Sequence, residues 1–251
     1  MSTPTARWAV SSPPGSPGPP DEGPPDEGLR ERKKRLMRQQ LSDTATRMFL
    51  ERGFDAVRVS EIAEACGVSE KTVFNYFPTK ESLILDRLEA TMASLRTGLA
   101  DPRVSPVEAA LRILDGEIAA MTSWLSAQGD PVQAAVSVRR FGALIQATPS
   151  LRAYQSEMMD QFAAVAATIL AGRAGMSPDD PEPQIAAAAL LGLWRVQFQA
   201  LRRYLDATRT PAQLRQAVSA DVRRAARLID AGLGSFAAFT ASTEGRPGPG
   251  R

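Results

Sequence analysis

The sequence has no histidine in 251 residues and a single cysteine, Cys66. Without histidine the commonest general base and the commonest metal ligand are gone, and with them Ser-His or Cys-His nucleophile pairs and histidine-based zinc sites. Carboxylate chemistry stays open. One cysteine cannot form an internal disulfide, which points to a reducing compartment. Aromatic residues are scarce at 6 %, while Ala and Leu dominate the C-terminal two thirds, a balance that favours helix over sheet. No run approaches the roughly 20 apolar residues that a membrane helix needs. The N-terminus is rich in Pro and Gly and carries no apolar signal core. A cytoplasmic protein with no membrane partner, no cofactor and no metal is expected. The net charge is only +2, so the total does not announce a nucleic-acid partner; the distribution of charge says more.

Apolar residues make up 43 % of the chain, enough for a core. Residues 1–28 contain Pro-Pro pairs and a tandem Pro-Pro-Asp-Glu-Gly, and nothing apolar recurs, so a disordered tail is expected there. From Arg30 the composition flips. Arg30, Arg32, Lys33, Lys34, Arg35 and Arg38 crowd one stretch against Glu31 alone. Leu41, Ala45, Met48 and Phe49 then recur at helical spacing up to Gly53, a residue suited to a left-handed helix end. The first helix is thus a basic arm that becomes amphipathic. Beyond residue 100 the pattern is long helices with short breaks, with no strand alternation and no internal repeat. The fold class expected is all-α.

Residues 58–77 read RVSEIAEACGVSEKTVFNYF. The pattern is short helix, glycine turn, short helix. Ile62, Ala63, Val68, Val73 and Phe77 are placed to lock the pair, and Ser69 is placed to cap the second helix. Pro78 stops that helix, and Thr79 is placed to cap a fourth helix from about Lys80 to Leu99. A helix enters the major groove when its exposed side chains are short or polar and its N-terminus faces phosphate. Glu70, Lys71, Thr72 and Asn75 are the exposed groups here. Cys66, in the turn, reads as a small packing residue.

The stretch FLERGFDAVRVSEIAEACGVSEKTVFNYFPTKESL resembles the N-terminal domain of the tetracycline-repressor (TetR) family, most specifically VSEKTVFNYFPTKE from Val68 to Glu81. The resemblance implies a three-helix, helix-turn-helix DNA-binding domain followed by a larger helical ligand-binding and dimerisation domain. It implies that Glu70, Lys71, Thr72 and Asn75 read bases. It also puts Phe74 against the sugar–phosphate backbone, Tyr76 near phosphate, and Lys80 on phosphate with help from the dipole of the fourth helix. Arg58 stands where the family commonly has threonine, leaving Ser60 as the substitute cap; both join Lys34 of the basic arm as expected backbone contacts. Glu70 either accepts from cytosine N4 or complements the helix dipole.

The domain organisation expected is a tail over 1–28, the helix-turn-helix domain over 29–78, a connecting helix over 79–100, an effector and dimerisation domain over 101–241, and a tail over 242–251. Two-fold operators call for a two-fold protein. Candidate seam stripes are Ala186, Ala189, Leu190, Leu193 and Gln197 on one helix, and Leu214, Val218, Ala225, Ile229 and Leu233 on the next. The resemblance implies that these two helices build a four-helix dimer bundle, with Ala189, Leu193, Leu214, Val218, Ala225 and Ile229 as its contacts. The same stripes also suit the subunit's own core. Met121, Trp124, Phe141, Ile145, Tyr154, Met158, Phe162, Trp194 and Phe198 are either core or the lining of a cavity for a largely apolar effector. Arg195, Gln197, Arg139 and Arg140 are candidates for its polar head. The function expected is a homodimeric repressor of palindromic double-stranded operator DNA, released by a small-molecule effector of unknown identity. A constitutive regulator or an activator is the alternative. A fused helical enzyme is the remote one, since Glu157 and Asp160 read as a solvated face and no catalytic residue stands out.

Overall fold

The computed structural model describes residues 28–85, 87–206 and 208–243, with the side chains of 87–89 and of 233 onward excepted. Almost all of both expected tails, and the Leu233 side chain, lie outside the described residues. Every regular element among them is helical: α1 (Leu29–Arg52), α2 (Val59–Ala65), α3 (Glu70–Tyr76), a 3-10 turn (Glu81–Leu83), α4 (Arg87–Ala100), α5 (Pro106–Ser126), α6 (Pro131–Ala147), α7 (Pro149–Ala174), α8 (Pro181–Tyr204) and α9 (Pro211–Thr243).

These helices fall into two compact units that interleave along the chain. One holds residues up to 87 together with 127–155; the other holds 88–126 and 156 onward. The expected effector and dimerisation domain spans 101–241 without a break. The structure instead groups α6 and the start of α7 with the helix-turn-helix.

In the first unit, Leu41, Ala45 and Phe49 of α1 lie one turn apart and are all fully buried. Gly53 ends the helix with φ +88°, a backbone that side chains resist, and its N–H returns to Phe49 O at 2.9 Å. The chain reverses and Phe54 packs on Phe49 with ring centroids 4.8 Å apart. Val57, Ile62, Val73, Phe77 and Leu83 close the core under α2 and α3. At roughly 1.5–3 kcal/mol for each fully buried large side chain, this small cluster suffices to hold two seven-residue helices that have no stability alone. α6 begins at Pro131, capped by Asp130 Oδ1 accepting from Gln133 N at 3.0 Å, and packs on α1.

The second unit is built around α9, against which α8 and α5 both pack. Leu114, Ile118 and Met121 of α5, Leu190, Leu193 and Trp194 of α8, and Leu214, Val218 and Val222 of α9 form its core. Arg173 of α7 closes the end of α4: its guanidinium donates to Leu99 O at 3.0 Å and to Val104 O at 2.8 Å. The first donation satisfies a carbonyl that the helix end leaves without a partner, and the second holds the loop that leads to α5. α9 opens with a reciprocal cap, Thr210 N to Gln213 Oε1 at 2.9 Å and Gln213 N to Thr210 Oγ1 at 3.3 Å.

One expected element differs. The fourth helix does not start at Lys80. Thr79 Oγ1 does accept from Ser82 N at 3.1 Å, but the turn it caps is the three-residue 3-10 turn, and α4 begins only at Arg87. Ser82, Leu83, Ile84 and Leu85 are consecutively buried. No α-helix puts four successive residues on one face, so burial outweighs the local helical signal.

Candidate nucleic-acid interface

The helix-turn-helix is assembled from polar contacts at its joints and apolar ones beneath. At the start of α2 the Arg58 N–H donates to Glu61 Oε2 at 2.7 Å. The other Glu61 oxygen accepts from Arg52 Nη2 of α1 at 2.8 Å. Those two donations hold the Glu61 carboxyl below its ordinary pKa, the Arg58 backbone first and the Arg52 side chain second. Glu61 thus replaces the hydroxyl cap: the expected stand-in, Ser60, is exposed, and a carboxylate three residues into the helix reaches back. The role differs from the expected Ser60 cap, and its local signal is a glutamate at the third helical position.

Between α2 and α3 the turn runs through Cys66 and Gly67, the latter at φ +69°. The Cys66 side chain is buried, with Sγ 3.9 Å from Gln40 O, which is the packing role expected of it. Ser69 caps α3 by accepting from Thr72 N at 3.1 Å. Val73 and Phe77 point into the core with no exposure. What remains outward on α3 is Glu70, Lys71, Phe74 and Asn75, all exposed. Thr72 is half-buried and its hydroxyl shares a 2.8 Å hydrogen bond with Ser69 Oγ. Tyr76 is half-buried too. Arg58, Ser60 and Lys34 are exposed. A short helix thus presents two charged groups, an amide and a phenyl ring to solvent, with its apolar side locked. That is the surface a major-groove reader needs.

Lys80 is placed differently from its expected role. Its Nζ donates to Phe54 O at 2.7 Å and lies 4.4 Å from the Phe54 ring centroid and 5.6 Å from that of Phe49. Burial lowers its pKa, while Asp55, Glu81 and Glu61 oppose the shift. The helix dipole invoked for it is also missing at this position, because α4 starts at Arg87.

The expected effector lining does not form one site within either unit. Phe141, Ile145 and Tyr154 belong to the unit of the helix-turn-helix; Met121, Trp124, Met158, Phe162, Trp194 and Phe198 belong to the other. Met121, Phe162 and Trp194 are about 1 % exposed and serve as core, whereas Trp124 and Met158 are half-buried and Phe198 is exposed. Arg139, Arg140 and Arg195 are exposed. Of the four polar-head candidates Gln197 is the buried one, at 2 % exposure. Its Nε2 donates to Glu117 Oε2 at 3.1 Å; Glu117 Oε1 accepts from Thr91 Oγ1 at 2.8 Å and Trp194 Nε1 at 3.4 Å. A carboxylate on α5 thus gathers donors from α4 and α8. A separate polar groove of about 710 Å³ runs between α5 and α9, lined by Asp115, Thr122, Ser123, Arg215, Ser219 and Arg223 among others, and includes none of the expected residues.

The expected seam is corrected in part. Leu193, Leu214 and Val218 are buried in the subunit's own core. Ala189, Ala225 and Ile229 are half-buried. Among the described residues, the large outward apolar groups on α8 and α9 are Ile185, 66 % exposed, Leu228, 78 % exposed, and Phe198, 37 % exposed. Among the described residues no group of three or more Cys, Asp or Glu side chains is placed to hold a metal, and no helix is long and apolar enough to cross a membrane.

Residues 41–86 match the family described as bacterial regulatory proteins, tetR family, and residues 119–233 match the MftR C-terminal domain. The HTH-type transcriptional regulator TcmR of Streptomyces glaucescens is 30 % identical over 171 residues, 67 % of this chain and 74 % of that one. A protein of Mycobacterium tuberculosis named as the mycofactocin biosynthesis transcriptional regulator MftR is 28 % identical over 162 residues, 64 % of this chain and 78 % of that one. The crystal structure of a TetR-family transcriptional regulator from Mesorhizobium loti covers 78 % of this chain and 98 % of its own at 19 % identity, with a TM-score of 0.44.

Proposed function

The chain belongs to the tetR family of bacterial regulatory proteins and is a DNA-binding transcriptional regulator, not an enzyme, and from that premise we propose that it is a homodimeric cytoplasmic repressor that releases a palindromic operator when a small effector enters its helical second unit. The observation that carries the DNA half is the outer face of α3, where Glu70, Lys71 and Asn75 stand exposed on a helix held by Val73, Phe77 and the Ser69 cap. In this reading Lys71 and Asn75 contact base edges, with Glu70 beside them at the dipole-positive helix start. Thr72 contributes through its methyl group, its hydroxyl being engaged with Ser69. Arg58, Ser60, Phe74, Tyr76 and Lys34 meet the backbone.

The effector half rests on Glu117. A carboxylate among apolar helices is costly unless its lone pairs are used, and this one joins α4, α5 and α8. α4 follows the helix-turn-helix directly in the chain. A ligand that binds better when α4 is displaced shifts the population away from the DNA-competent state. Dimerisation through α8 and α9 is supported by exposed Ile185 and Leu228 beside half-buried Ala189, Ala225 and Ile229. Fluorescence anisotropy on duplexes selected from a random pool tests the DNA reading: equal affinity for selected and scrambled duplex at moderate salt would sink it. Melting the protein against a panel of small molecules tests the effector reading, and a regulator without a ligand would show no shift with any compound.

A further inference from the structure

The cations of the basic arm do not share one environment. Lys33 and Lys34 are exposed on the first turns of α1, while Arg38, one turn further on, is half-buried. Its Nη1 donates to Tyr76 O at 3.0 Å, and its guanidinium carbon lies 4.7 Å from the centroid of the Phe77 ring. Tyr76 is the last residue of α3, so its carbonyl is among those a helix leaves without an internal partner. Phe77 is the fully buried residue that ends the helix.

We infer that Arg38 is a positioning residue for base reading: it fixes the C-terminal end of the recognition helix α3 to α1 and is not one of the phosphate ligands of the arm. The chemistry suits arginine. A planar guanidinium lies flat on an aromatic ring while an N–H in its own plane reaches sideways to a carbonyl, an arrangement that the shorter, tetrahedral ammonium of a lysine at this position would not reproduce. A cation at this end also complements the negative pole of the helix. α3 has seven residues and one fully buried apolar side chain, Val73. Its N-terminal end is set by Ser69. Arg38 sets the other end from a helix whose next turns, Leu41 and Ala45, are locked in the core. The pair Ser42 Oγ to Leu83 O, at 2.9 Å, repeats the arrangement one turn further along α1. Swinging α3 about its N-terminus would move Asn75, near its far end, more than Lys71, so loss of Arg38 should damage sequence discrimination first.

The inference rests on the DNA-binding reading, and the test separates the two. The full-length chain selects a duplex from a random pool. Wild type, Arg38→Ala, Arg38→Lys and Lys34→Ala are then titrated with that duplex and with a scrambled one over a range of salt, with melting temperatures recorded. The expected result for both Arg38 variants is about a tenfold fall in the selected-to-scrambled affinity ratio with an unchanged salt slope. Lys34→Ala should weaken both duplexes alike and flatten the slope by about one ion. Arg38→Lys matters most, because it keeps the charge and is the variant expected to fold. Equal loss on both duplexes with a flattened slope, or wild-type behaviour of Arg38→Lys, overturns the inference in favour of a phosphate contact. A lowered melting temperature with an intact ratio overturns it in favour of a purely structural role. If wild type selects no duplex, the DNA-reading premise itself fails and the inference falls with it.

Discussion

The ammonium of Lys80 sits 2.7 Å from the carbonyl oxygen of Phe54 and 4.4 Å from the centre of the same residue's ring. One cation therefore holds both the backbone and the side chain of the turn that follows α1. This ties the segment after α3 to the segment before α2, across the whole helix-turn-helix.

Lys80→Met removes the charge-assisted hydrogen bond and the cation–π contacts while keeping the stem. It should destabilise the protein by about 1–3 kcal/mol, read as a fall in the urea midpoint. With the ammonium occupied by Phe54, the salt dependence of DNA binding should stay close to that of wild type. A flattening by about one ion would restore Lys80 to the phosphate contacts.

Lys71 and Asn75 should respond differently from the arm. Lys71→Ala or Asn75→Ala should cost about 1–3 kcal/mol on the selected duplex and relax preference at one base step, leaving scrambled DNA nearly unaffected. Selection repeated with each variant and sequenced in bulk would reveal the relaxed position.

Glu61 makes a sign-definite prediction for pH. Its folded pKa is lowered from the ordinary value of 4.5 by the Arg58 N–H and the Arg52 guanidinium, so the unfolded chain takes up the proton first. The stabilisation is present above about pH 4.5 and is lost as pH falls through the lowered folded value. Glu61→Gln should therefore make stability less steeply acid-sensitive below that point, in urea titrations from about pH 6 to pH 3. Asp101, held at about 2 by Arg103 in the other unit, contributes with the same sign and should persist in the variant.

The seam and the core are separable by substitution. Ile185→Asp with Leu228→Asp should turn a dimer into a monomer in sedimentation equilibrium while the helical content is retained. Leu193→Ala should instead cost about 2–5 kcal/mol of stability, because Leu193 has no exposure in the single subunit. A Leu193 variant that only dissociated the dimer would contradict that placement.

Glu117→Gln keeps the shape but puts an amide NH2 on one side of a group whose neighbours donate. Turned one way it faces Gln197 Nε2, turned the other way Trp194 Nε1; only the Thr91 hydroxyl can reverse its role. A loss of about 1–3 kcal/mol is expected, together with altered coupling between any effector that shifts the melting curve and DNA release.

Most of the helix-turn-helix was legible because its signals are local. Gly53 and Gly67 at positive φ, Ser69 as a cap, and Ile62, Val73 and Phe77 as locks each follow from residue type and spacing over a few positions. The Glu61 cap has an equally local signal, a carboxylate three residues into α2, which competes with the hydroxyl of Ser60. The start of α4 was not legible. Thr79 followed by Lys-Glu-Ser-Leu is a good helix opening, and only the burial of four successive residues shows why the helix waits until Arg87.

The sequence by itself determined the all-α class, the order of the helices and which face of α3 is polar, since those depend on periodicity and capping within a turn or two. Tertiary structure decided what each cation and each apolar stripe touches. Arg38 and Lys80 look like arm and phosphate groups in the sequence, yet one grips the end of α3 and the other the turn after α1. Leu193, Leu214 and Val218 read as a seam, yet they lie inside their own subunit. A helical stripe states only that one side is apolar. Whether that side meets the same chain, a second copy or a ligand depends on contacts between residues far apart in sequence, about which spacing carries no information.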